Sequence, residues 1–190
     1  MPEQTRVRYS TVAMILHWAL AILVIANVLI GWQAEDLRGP DRRALMSVHM
    51  PIGVSVLLLT LVLIAWRLIH KPPPLPDYLK RWERVLAKTV HYGFYVVLIA
   101  MPLSGWLTVS AHDDSRAIDM FGLFQFPVFE PVRGMDDVHD GAEETHHFIA
   151  KVIAYVLVPL HVLGALKHQF LDGRDELGRM LPFRTRRPRV

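Results

Sequence analysis

The chain has no cysteine among its 190 residues. Disulfides, thiolate metal sites, iron–sulfur clusters and Cys-x-x-Cys-His haem attachment are therefore all excluded. Carboxylates are missing too, from four long stretches at about 11–31, 48–69, 90–111 and 147–170. The only charges in these stretches are Arg67, Lys151 and Lys167. No internal repeat is present. What remains is a chain that is 52% hydrophobic, with its apolar residues collected in those four blocks.

Each block is about 20 residues long, enough to span a bilayer's hydrocarbon core, and apolar on nearly every side. A surface helix of a soluble domain would show one apolar stripe instead. The reading is an all-α fold, a four-helix transmembrane bundle forming one integral-membrane unit over residues 1–190 and lying in the lipid bilayer. The first block is expected to stay as a membrane span, because no small-x-small cleavage pattern follows it.

Charge sets the orientation. Both terminal segments and the second connection carry fifteen Lys and Arg, including Arg8, Lys71, Arg81 and a basic tail over 171–190. The opposite side holds five: Arg38, Arg42, Arg43, Arg116 and Arg133. The positive-inside rule predicts both termini in the cytoplasm, for a multi-pass protein of a bacterial inner membrane. The net charge of +3 is then a topology signal, and no nucleic-acid partner is implied. The run Lys71–Tyr78, with four prolines, reads as a stiff spacer. The third connection, 112–146, carries nine acidic residues and the aromatic cluster Phe121, Phe124, Phe126 and Phe129. Its charges read as solvated loop, its aromatics as solvated or lying on the membrane surface. Trp18, Trp32, Trp66 and Trp106 sit near block ends as interfacial anchors.

The ten histidines carry the chemistry. Thirteen residues separate His147 from His161 in the fourth block. Fourteen helical steps advance about 1400° and climb about 21 Å, so both imidazoles leave one face at opposite edges of the membrane. With helix direction alternating, His49 falls at the outer level with His147, and His17 at the inner level with His161. Imidazoles in lipid are costly and usually functional. Two pairs at two depths suit two non-covalent b-type haems, each iron bound by two histidines and fitted for electron transfer. Other positions stay open. His146 is the alternative outer ligand, about 60° from the phase of His161. His91 shares the inner level, either as the partner of His161 or as a quinone ligand. His168 lies near the headgroups and is a further candidate to meet a quinone or substrate. Lys151 either snorkels outward or draws an anionic substrate to the outer level. Gly31 and Gly53 either allow a flat macrocycle to approach the backbone or simply let the helices pack tightly.

Tyr9-Ser10 ahead of His17-Trp18, the run His49-Met50-Pro51-Ile52-Gly53, His91 opening the third block, and the segment His161 to His168 resemble the bacterial cytochrome b561 family over nearly the whole chain. The resemblance implies a four-helix inner-membrane dihaem protein that passes electrons to or from the quinone pool. Some relatives oxidise superoxide at the outer face and reduce ubiquinone. Others are cytochrome subunits that wire a partner dehydrogenase or hydrogenase to quinone, which would add a redox partner protein.

Overall fold

The computed structural model describes residues 8–174 and 177–181. Arg6 and the tail residues Arg184, Arg186, Arg187 and Arg189 lie outside the described residues. Each apolar block becomes a long helix: α1 (Thr11–Glu35), α2 (Gly39–Ile69), α3 (Arg81–Ala111) and α4 (Asp136–Leu171). All four are long and apolar enough to cross a membrane.

Three helices begin nine to eleven residues before their apolar blocks. The added turns are polar, so hydropathy alone does not mark them, yet their starts are chemically suited to helix. Pro40 occupies the first turn of α2 with Asp41 behind it. Asp136 and Asp137 open α4, where carboxylates complement the N-terminal dipole. In α3 the Glu83 carboxylate accepts the Lys80 backbone N–H at 2.9 Å, capping that end. At 31 residues, α2 and α3 run about 46 Å, longer than the hydrocarbon core, so their ends project into the headgroup layers.

In sequence order each helix packs on the next, α1 on α2, α2 on α3 and α3 on α4. The backbones of α1 and α4 do not pair in this way, and that side of the bundle is the more open one. The core is a column of Leu20, Val24, Val28, Val56, Leu63, Met101, Ile149 and Ile153. In lipid such residues hold helices together by packing, because the tails are as apolar as leucine.

The connection between α3 and α4 is partly ordered structure. Strands β1 (Ile118–Asp119) and β2 (Gln125–Phe126) pair antiparallel. The tip turns through Phe121 and Gly122, both at positive φ. Ile118 and Met120 are buried against Val54, with Met50 and Trp106 packed alongside. Trp106 Nε1 donates to the Pro127 carbonyl at 2.8 Å, tying the hairpin to α3. At the other end of the bundle, the turn Leu177–Arg179 folds back on the chain's start. Tyr9 N–H donates to Arg179 O, and Trp18 Nε1 to Met180 O at 2.8 Å.

Candidate haem-binding histidine pairs

The interior prolines and one irregular turn decide where the histidines point. In α4 the ladder widens to a π turn over Ile153–Leu157, where Val158 N–H bonds to Ile153 O. The cause follows directly. Pro159 has no N–H, and its ring crowds the carbonyl of Tyr155 four residues earlier. A π turn takes up one extra residue, so the two ends of α4 are out of phase by one step.

That step changes which histidine faces inward. Counted through the π turn, His146 comes within about 40° of His161, while His147 moves about 140° away. The structure accordingly brings His49 against His146, with ring centroids 6.0 Å apart. His147 points outward, its Nε2 4.0 Å from a Glu35 carboxylate oxygen, with a side chain 46% exposed. The plain α-helical spacing pairs His49 with His147; the folded chain places those two rings apart. The proline at position 159 is the one sequence signal for this.

Both outer histidines are held the same way. His49 Nδ1 bonds to the Asn27 carbonyl at 3.1 Å, and His146 Nδ1 to the Met101 carbonyl at 2.8 Å. A carbonyl on Nδ1 fixes the N–H there and leaves the Nε2 lone pair free to bind a metal. Ser104 Oγ, at 3.3 Å, braces His146 further. Glycine makes the space. A Cβ on Gly105 would stand 2.9 Å from His146 Cε1, and one on Gly31 3.1 Å from His49 Cε1.

Three histidines meet toward the other end of the bundle, the end that holds the start of α1. His161 lies 6.0 Å from His17 and 5.3 Å from His91, centroid to centroid, with the Phe94 ring edge-on at 5.4 Å. The His91 ring is anchored to the backbone of Ala87. Gly53, placed by sequence beside the outer histidine, faces the buried Asn27 amide instead.

These features fit a bis-histidyl haem. Two metal–imidazole bonds of about 2 Å, plus the reach from nitrogen to ring centre, span a gap of this size. The open α1–α4 side leaves room between His17 and His161, and because α3 packs only lightly on the Val158–Leu166 segment, His91 stays a second candidate partner of His161. Buried polar atoms without a protein partner, Asn27 Oδ1 and Arg67 Nε, belong to the same interior.

The remaining candidates lie elsewhere. Lys151 is exposed in an open cleft with Asp140, Glu143, Glu144, His147 and Phe148, on the outward face of α4. His168 Nδ1 bonds to Asp172 at 2.6 Å, and Lys167 Nζ bonds to both Glu83 (2.6 Å) and Asp172 (2.8 Å). Glu83, His168 and Asp172 converge closely enough for a metal, yet the Lys167 ammonium already joins the two carboxylates.

A four-helix membrane bundle with paired interior histidines defines a b-type cytochrome of membrane electron transfer. Residues 8–183 match the prokaryotic cytochrome b561 family, and the chain belongs to that family. It is 32% identical to "Cytochrome b561 homolog 2" of Escherichia coli (strain K12), over 92% of this chain and 91% of that protein. It is 28% identical to "Probable superoxide oxidase CybB" of Yersinia pestis, over 92% and 96%. A third relative, "Cytochrome b561 homolog 1" of E. coli (strain K12), is 25% identical over 93% and 98%.

Proposed function

We propose that the protein holds two b haems and carries electrons between the two faces of the inner membrane, exchanging them with a membrane quinone such as ubiquinone. His49 and His146 are the outer ligands, and His17 and His161 the inner ligands. The haem irons, when bound, supply the one-electron carriers. The chain would set their depth, supply the histidine nitrogens that hold them and keep their surroundings dry.

The observation that carries this reading is the pair of facing imidazoles at each of two depths, both reaching α4 from the opposite half of the bundle. Two histidines per iron leave no open position, which favours electron transfer over ligand binding. His91, beside the inner pair and anchored to its own helix, is suited to bond a quinone oxygen. Superoxide is the electron donor we favour at the outer face, in line with the name of the Yersinia relative. The excess of basic residues at both ends of the chain and in the second connection supports cytoplasmic termini.

A pyridine haemochrome assay of the purified protein tests the central number. The expected value is about two b haems per chain, falling to about one in His161→Ala. A wild-type value near one contradicts the second site. Anaerobic mixing with superoxide, followed by added ubiquinone, tests the direction: the haem spectrum should reduce and then reoxidise.

A further inference from the structure

Arg67 is a cation at the inner end of the bundle with bonds still to give. Its NH1 donates to the Tyr95 hydroxyl on α3, and its guanidinium lies over the rings of Tyr9 and Tyr95, 5.7 and 5.5 Å from their centroids. Its Nε is buried and has no acceptor. Among the described residues, no carboxylate pairs with Arg67. Arg8, next to Tyr9, also has a buried Nε without a partner, while its NH2 donates to the Leu181 carbonyl. The charge of Arg67 bears on both His17 and His91.

A snorkelling arginine would extend its head into water. This one is turned inward, clamped between tyrosine rings, with a donor edge in a site of low dielectric. A guanidinium so placed calls for an anion that takes two parallel N–H bonds, which is the geometry of a carboxylate. We propose that Arg67, assisted by Arg8, binds a carboxylate at the edge of the macrocycle held by His17 and His161. The inference rests on the functional reading above, because a b haem brings such carboxylates to this level. The other source of an anion at this depth is a lipid phosphate. The fork then acts as a second anchor for the haem, and its charge raises the reduction potential of the inner centre by disfavouring the oxidised, more positive state.

The test uses the haem-loaded protein in nanodiscs, with Arg67→Gln and Arg67→Lys. Three readouts are followed: haem content, the propionate bending band in the resonance Raman spectrum, and the potential of the centre that disappears in His161→Ala. Arg67→Gln should shift the band and lower the inner potential, leaving the outer centre unchanged. If that variant loses the inner haem, Arg67→Lys, which keeps charge but not the fork, should retain it with a shifted band. A loaded Arg67→Gln protein with the wild-type band and potential overturns the inference and leaves the functional reading intact. An inner potential that changes when phosphatidylglycerol replaces phosphatidylcholine, in wild type but not in Arg67→Gln, assigns the fork to lipid phosphate and also overturns it. Wild-type protein with no inner haem contradicts the functional reading itself, and this inference with it.

Discussion

His49 and His146 face each other across the bundle with ring centroids 6.0 Å apart, and each gives its Nδ1 to a carbonyl of another helix. The carbonyls are Asn27 O on α1 and Met101 O on α3, so the two rings brace all four helices at one depth. The arrangement depends on a π turn that begins about two helical turns along α4 from His146, at Ile153.

Pro159→Ala, which restores the N–H and removes the ring that crowds Tyr155 while keeping every residue, should return α4 to plain α-helical spacing and bring His147 into phase. In that background, His147→Ala should cost the outer haem and His146→Ala should spare it, the reverse of the wild-type order. Haem-to-protein ratios of the four variants decide the point. A Pro159→Ala protein that leaves the order unchanged would show that the π turn does not select the ligand.

Gly105→Ala should disturb the outer centre more than Gly31→Ala. The new methyl at 105 would stand 2.9 Å from His146 Cε1 and 3.0 Å from its Nδ1, against 3.1 Å from His49 Cε1 at 31. Overpacking of this kind costs about 1–3 kcal/mol. The expected result is weaker retention of the outer haem in Gly105→Ala, read by haem loss to apomyoglobin, with the inner haem retained in both variants.

The cluster at the end of α4 should be sensitive to acid. A hydrogen bond from Lys167, then one from His168, holds the Asp172 carboxyl below its ordinary range. A carboxyl lowered on folding stabilises the fold above its unfolded pKa of about 3.9, and loses that contribution as pH falls through the folded value. Wild type should therefore exceed Asp172→Asn in thermal stability at neutral pH, and the gap should close in strong acid. An equal gap at both pH values would show that Asp172 acts through packing alone.

Lys151 should matter little for an anionic donor. It shares its cleft with Asp140, Glu143 and Glu144, so that face has no isolated positive focus. An exposed charge among carboxylates contributes about 1 kcal/mol or less. Lys151→Gln should leave superoxide reduction of the outer haem and its salt dependence close to wild type. A tenfold slower, salt-insensitive reaction would restore a steering role.

Much of this was legible in the sequence. The four blocks specify the four spans, because only helices satisfy their own backbone in lipid. The expected depths put His17 level with His161, and in the fold those two rings lie 6.0 Å apart. Which α4 histidine faces His49 was not legible from spacing, since one π turn is enough to exchange adjacent residues. Pro159 is the local cause, but a proline in a membrane helix is also compatible with a kink, and the sequence does not choose between them. The polar opening turns of α2, α3 and α4 escaped hydropathy because they lie beyond the apolar core. The hairpin at 118–126 was hidden by its brevity, two residues per strand. Arg67 read as one of many inner-side basic residues, and only the fold shows its unsatisfied Nε.

The most direct test is the haem content of two single variants, His146→Ala and His147→Ala, purified from the same host and measured by pyridine haemochrome. The account predicts about one haem per chain in His146→Ala and about two in His147→Ala. One haem in His147→Ala with two in His146→Ala would contradict it, and would return the outer ligand to the position that simple helical spacing selects.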